Sequence, residues 1–299
     1  MLANSIKRLL HALADRLANR RFLVLGGLAA MLFVALAVGS WAIVSRNERP
    51  NEVLQAPVQQ VTSSVGISVF PDFSLVSDVD ARKRQFFDYI EAYANAENQR
   101  ISETRHELLL FNSVLRNGHP LSTLEHMALL NIAEDYRLEQ GVGQTEELDS
   151  VLDDDAALVE ALLLRVDEIP VSLALAQAAN ESAWGTSRFA VDGNNLFGEW
   201  CYVEGCGFVP YERANDASHE VRRFETIAGA VSAYFHNLNT HPSYVLFRRM
   251  RARMREQERS LDPIQLAYGL GSYSQRGDSY IDELQTIIQQ NDLHLRDEG

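Results

Sequence analysis

Cysteine is nearly absent: the 299 residues hold two, Cys201 and Cys206, too few for a disulfide-rich scaffold or a four-cysteine zinc module. A cysteine pair alone would need two more ligands, such as His219 and His236, to hold a metal, so none is expected. Basic charge is also scarce, with 27 Lys and Arg against 41 Asp and Glu and a formal net charge of -14. No broad phosphate-neutralising surface can be built from that balance, which excludes nucleic acid as the expected partner. The acidic stretch Glu134 to Glu168 lacks the twelve-residue loop with a central glycine that calcium needs, and reads as a solvated helix face plus a loop around Asp153 to Asp155. What the chain does have is 46% hydrophobic residues, ordinary for a protein that buries a core.

Charge is missing altogether from Phe22 to Val44. At roughly 1.5 Å per residue these 23 residues reach about 34 Å, slightly more than a bilayer's hydrocarbon core. Lys7, Arg8, Arg16, Arg20 and Arg21 precede the segment, while Glu48 and Glu52 follow it. The sequence therefore predicts a cytoplasmic basic segment at 1–21, a transmembrane anchor at 22–44 and export of everything beyond. A cleaved signal peptide is the competing reading, although its apolar region is normally about 7 to 15 residues.

Residues 45–77 have no helical period and read as a tether. From Asp78 the apolar positions Phe86, Phe87, Tyr89, Ile90, Tyr93, Ile101, Leu108, Leu109 and Phe111 recur at helical spacing, and a helical extension is expected over 78–165. Gly118 to Pro120 breaks it. The run Arg248, Arg249, Arg251, Arg253, Arg255 and Arg259 reads as a solvated helix face or an attractor of wall carboxylates and anionic lipid.

The informative part begins at Pro170, a residue suited to the start of a helix. Val171, Leu173, Leu175, Ala178 and Ala179 make that helix almost wholly apolar, and it ends at Glu181. A carboxylate at the negative end of a buried helix gains nothing from the dipole, and apolar walls penalise its charge. Both effects raise its pKa, which suits a group that must donate a proton to a leaving oxygen. The alternative is a glutamate pointing into solvent. After it comes a glycine-punctuated loop in which Asn194 and Asn195 offer amides to sugar substituents, while Trp184 and Phe197 offer flat faces to a ring or pack in the core. Tyr234 and Tyr268 suit cleft walls or core equally.

The segments "AQAANESAWGTSRFA", "GNNLFGEWC" and "GLGSYSQRGDSYIDELQTII" resemble the glucosaminidase domain shared by bacterial autolysins and flagellar muramidase-type hydrolases. "SDVDARKRQFFDYI" and "EWCYVEGCGFVPYERANDASHEVRRF" resemble in particular the Bax group of envelope proteins from Gram-negative bacteria. The likeness covers about residues 75 to 295. It implies a mainly α, lysozyme-like domain with a small β-hairpin lobe at 166–295, acting in the periplasm on the bond after N-acetylglucosamine in peptidoglycan strands. Glu181 matches the family's acid.

The resemblance also directs attention to a second acidic residue on the hairpin. Glu204, Glu212, Glu220 and Glu225 are the candidates, with Glu220 favoured over Glu212 because it lies in an alternating, strand-like segment. Substrate assistance by the 2-acetamido oxygen is a third route, in which Tyr273, matching a family tyrosine, steadies the acetamide or orients Glu181. On the exported side Cys201 and Cys206 are expected to form a disulfide. Neither an organic cofactor nor a metal is required. A lytic transglycosylase and a non-catalytic wall-binding scaffold are the alternative functions.

Overall fold

A computed structural model describes residues 70–138, 154–210 and 218–297. They belong to a compact unit, Val65–Gly299, that is mainly helical. The anchor read at 22–44 lies outside the described residues, as does Asp153 of the acidic loop, whereas Asp154 and Asp155 cap and open a helix; among those described, no helix is long and apolar enough to cross a membrane.

A 3₁₀ turn at Phe73–Leu75 precedes α1, Val79–Arg116, which Asp78 starts by accepting a hydrogen bond from the Ala81 amide at 2.6 Å. Its buried residues, Phe86, Phe87, Ile90, Ala94, Glu97, Ile101, Leu108 and Phe111, fall three and four apart or at multiples of a turn. One stripe of a 38-residue helix therefore faces the core along most of its length. A Ser122–Glu125 capping box opens α2, Thr123–Asp135, and Asp154 caps α3, Asp155–Arg165. Then follow α4, Val171–Ser182, and the short α5, Arg188–Gly193.

The β lobe holds β1, Trp200–Cys201; β2, Gly207–Phe208; and β3, Glu220–Arg222. Where a hairpin was expected, β3 runs between the other two and pairs antiparallel with both. The chain continues as α6, Ile227–Thr240; α7, Val245–Glu256; α8, Pro263–Leu266; and α9, Asp278–Gln290.

The helices at 78–165 and those after 166 share one hydrophobic core, in which Phe86, Ile90 and Leu158 join Leu173, Leu238 and Leu284. The boundary drawn at 165/166 thus falls inside the core. Arginines stitch it together. Arg165 Nη1 donates to the Tyr136 and Arg137 carbonyls at 2.6 and 2.7 Å, at the end of α2. Arg105 Nη1 reaches the Leu163 and Val166 carbonyls at the end of α3, and Arg248 Nη1 the Leu238 and His241 carbonyls at the end of α6. Each guanidinium meets carbonyls that no helical turn can satisfy, where the helix dipole also favours a cation.

The basic run at 248–259 is consequently not a uniformly solvated face. Arg248 and Arg251 are buried, whereas Arg249, Arg253 and Arg259 remain exposed. Arginine's rigid fork of donors lets it cap carbonyls inside a core, a use that charge alone does not reveal.

Phe70 and Phe73 fold over Gly185, in the turn behind α4. A Cβ at Gly185 would lie 2.8 Å from Phe73 and 3.0 Å from Phe86, and the residue sits at φ +74°. Gly118 has a similar φ of +78° with nothing nearby. Gly118→Ala should therefore cost only the left-handed strain, about 1 kcal/mol, and Gly185→Ala about 3 kcal/mol because overpacking adds to it. Urea unfolding of the two variants measures the difference; equal losses would show that the aromatic contact contributes nothing.

Candidate functional site

Glu181 is delivered by the abrupt end of α4. Residues 171–179 are buried, so the helix axis is fixed on nearly every side. Immediately beyond Glu181 the chain turns through left-handed conformations at Ala183, Trp184 and Gly185, with φ of 51°, 58° and 74°. Ser182 closes this turn, its hydroxyl donating to the Ala178 carbonyl at 2.6 Å and accepting from the Gly185 amide at 2.8 Å. Left-handed alanine and tryptophan each cost about 1 kcal/mol, so tertiary contacts must hold them. Trp184 supplies such a contact: its ring packs edge-on against Phe87 at 5.1 Å and Phe86 at 6.2 Å, with Lys83 Nζ 4.8 Å from its centroid.

The Glu181 carboxylate accepts hydrogen bonds from the Tyr280 hydroxyl and, at 3.4 Å, from Asn180 Nδ2. Behind Tyr280 runs a buried relay. Gln177 Nε2 donates to the Tyr280 oxygen at 2.9 Å, and Tyr234 donates to Gln177 Oε1 at 2.6 Å. Burial raises the Glu181 pKa, against the opposing pull of the Tyr280 hydrogen bond, the Arg276 charge and Asn180. Tyr280→Phe removes a hydrogen bond that favours the charged form, so the carboxyl should bind its proton still more tightly. If the protonated form works, the alkaline limb of the pH–rate profile moves up while loosened orientation lowers kcat about tenfold. A profile with an unmoved alkaline limb would count against this link.

Gly198 lies directly against the acid. A Cβ there would sit 3.1 Å from Glu181 Oε2, and its φ is +67°, so glycine both permits the turn and leaves the carboxyl uncovered. The next residue, Glu199, brings a second carboxyl to the site. Its Oε2 lies 3.7 Å from Arg222 Nη1, while Oε1 is buried with no hydrogen-bond partner among the described residues. Burial pushes its pKa up to about 7, against the pull of Arg222 and Arg137. Both carboxyls act on Tyr234, Tyr244 and Tyr273, whose pKa values are raised chiefly by burial, that of Tyr244 to about 12. Two proton-binding carboxyls thus lie within electrostatic reach of the same tyrosines, a pair of groups able to protonate a leaving oxygen and to handle a water.

Residues 159–293 match the family described as glucosaminidase, mannosyl-glycoprotein endo-beta-N-acetylglucosaminidase. Protein bax of Escherichia coli strain K12 is 32% identical over 229 residues, 77% of each chain. The chain belongs to the Bax-type glucosaminidase-domain proteins. No solved structure gives a significant match. The glucosaminidase match begins inside α3, yet its core is completed by α1 and by the Phe70–Phe73 segment.

Within this glucosaminidase domain several expected site residues serve the scaffold. Phe197 and Tyr234 are buried at 1% and 0% exposure, stacked on one another at 4.0 Å, and so neither lies open to a sugar ring. Asn195 is equally buried, its amide donating to the Glu199 and Arg222 carbonyls and accepting from the Glu199 amide. Asn194, a left-handed cap of α5, donates to the Phe224 and Glu225 carbonyls. These amides staple the β lobe to α5 instead of reading substrate. Trp184 is half-buried in the aromatic cluster, and Tyr273 turns its hydroxyl to the Phe197 carbonyl at 2.6 Å rather than to Glu181. Tyr268 remains 57% exposed.

Glu220 is tied into the β lobe. Strand pairing sets it opposite Cys201, and its carboxylate accepts from the Gly205 and Gly207 amides at 3.0 and 2.8 Å. It seals the loop closed by the Cys201–Cys206 disulfide. The two sulfurs and Glu220 form the one group of three possible metal ligands among the described residues, and the disulfide occupies both sulfurs. Glu204 and Glu225 are exposed, and Glu212 lies outside the described residues. His236 contacts the Asp135 carbonyl at 2.7 Å, and His219 stacks on Trp200.

Glu199, Tyr244, Tyr280 and Gln177 are the site residues that pattern reasoning passes over. The only sequence signal for Glu199 is its position directly after the glycine that faces Glu181.

Proposed function

We propose that the protein is a membrane-anchored peptidoglycan hydrolase that cleaves the glycosidic bond after N-acetylglucosamine, with Glu181 as proton donor. One observation carries the reading: a carboxyl held at the end of a buried helix, uncovered by Gly198, with burial raising its affinity for protons. Such a group keeps its proton at a pH where an ordinary glutamate has lost it, and can pass it to the bridging oxygen as the C1–O bond breaks. The family's description supports N-acetylglucosamine at the cleaved position, and the anchor read at 22–44 supports a periplasmic polymer. The helical body with its small β lobe is compatible with a lysozyme-like arrangement.

Mass spectrometry of purified sacculi digested with the 46–299 fragment tests the reaction. Reducing-end N-acetylglucosamine is the expected product. Anhydro-muramic ends would make the protein a lytic transglycosylase, and binding without release would make it a scaffold. Alkaline extraction of bacterial membranes tests the anchor: the full chain should stay in the pellet, and its release would remove that part of the proposal.

A further inference from the structure

The hydrolase reading leaves one chemical position unfilled. Once the acid has protonated the leaving oxygen, an incoming water must lose a proton, and a carboxylate across the site normally takes it. Glu220 cannot, because both of its oxygens are engaged by backbone amides of the disulfide loop.

Glu199 is built differently. Its side chain is 9% exposed, yet Oε1 has no hydrogen-bond partner among the described residues, and Oε2 stands 3.7 Å from a half-exposed Arg222. A buried carboxyl oxygen without a partner is costly in a folded protein, and such groups are kept where chemistry uses them. The backbone that carries it is firmly held. Its amide and carbonyl both bond to the buried Asn195 side chain, and the carbonyl also accepts from the Arg222 amide at 2.9 Å. One residue back, Gly198 lies against Glu181. The two carboxyls come from different elements, the end of α4 and the root of β1, and both raise the pKa of the same three tyrosines. No hydrogen bond joins them among the described residues, so each carboxyl keeps its own surroundings.

We propose that Glu199 is the second catalytic carboxylate, the base that activates the attacking water. Glu181 gives its proton to the glycosidic oxygen, which keeps the electron pair of the breaking C1–O bond. The water oxygen bonds to C1 and its proton passes to Glu199. One water is consumed, and proton exchange with solvent restores both carboxyls. With the water arriving opposite the leaving group, the product anomer is inverted. The inference rests on the hydrolase reading, which supplies the reaction.

Glu199→Gln, Glu199→Ala and Glu199→Asp in the full chain test it, with release of reducing ends from sacculi as the readout and thermal melting as the check on folding. Glu199→Gln should lose about a hundredfold or more in kcat with KM nearly unchanged. Glu199→Asp, which keeps the charge but withdraws it by one methylene, should retain a few per cent of the rate, roughly a thirtyfold loss. In Glu199→Ala, azide should restore part of the rate and yield a glycosyl azide of inverted configuration. A folded Glu199→Gln enzyme with kcat within about threefold of wild type would overturn the assignment. So would a fully active Glu199→Asp, the variant to use if the amide fails to fold. Absence of azide rescue, or an azide product of retained configuration, would likewise exclude a water-activating base at 199. If the wild-type chain itself releases no reducing ends, the hydrolase reading has failed rather than the assignment of Glu199.

Discussion

Glu181→Gln is expected to lower the rate of sacculus hydrolysis by about a thousandfold or more while leaving binding to sacculi intact. The amide keeps the shape of the side chain and its contacts with Tyr280 and Asn180, but it has no proton to give. Loss of a general acid typically costs a factor of about 10² to 10⁴, and a thousandfold corresponds to about 4 kcal/mol of transition-state stabilisation. Unfolding is not the expected cause. The folded-state pKa of Glu181 is raised by burial, so ionising it in the folded protein opposes stability once the pH exceeds its ordinary value of 4.5. Replacing it with a neutral amide removes that penalty. The variant should melt no lower than wild type at pH 8, with little difference below about pH 4.5. Undiminished hydrolysis by the variant would end the assignment of Glu181 as the acid.

How far the sequence reveals this site depends on whether the relevant physics is local. The apolar run after Pro170 and its stop at Glu181 are visible in sequence, because helix burial and termination are written within a dozen residues. The strand around Glu220 is visible for the same reason. Glu199 is not. Its raised pKa comes from burial beneath a lobe whose central strand lies some twenty residues later, and its tyrosine neighbours come from α6 and beyond. Phe197 and Asn195 mislead for a related reason. Aromatics and amides in a glycine-punctuated loop suit a sugar cleft, but the same groups satisfy buried carbonyls and fill core, and only tertiary packing decides between the two uses. Arg251 is the strongest case. Nothing near it in sequence distinguishes it from exposed Arg249 or Arg253, yet it is fully buried among the carbonyls of Arg165, Asp167 and Glu168.

Asp167 should carry the largest single stabilising role among the charged residues. Its carboxylate lies 2.9 Å from Arg255, 3.6 Å from Arg105 and 3.8 Å from Arg251, joining α1, the α3–α4 connection and α7. Burial raises its pKa, but the charges of Arg251, Arg255 and Arg105 outweigh burial and hold it below its ordinary value of 3.8. Burial meanwhile pushes Arg251 down to about 10, so that guanidinium stays charged at neutral pH. Asp167→Asn leaves a buried cation without its counter-charge, at a cost of about 3 to 5 kcal/mol at pH 6. The sign of the pH dependence follows from the depressed pKa. The contribution of Asp167 is complete above about 3.8 and disappears as the pH falls through the lower folded-state value. Glu199 works in the opposite sense: its pKa rises from 4.5 to about 7 on folding, so its ionisation removes stability as the pH climbs through that interval. Together these two groups favour the folded state most on the mildly acidic side of neutrality. Urea unfolding of wild type and Asp167→Asn from pH 3 to 8 should show a gap that is widest above pH 5 and narrows towards pH 3. A loss under about 1 kcal/mol at pH 6, or a gap that stays constant down to pH 3, would mean that the arginines draw their stabilisation from the backbone carbonyls alone.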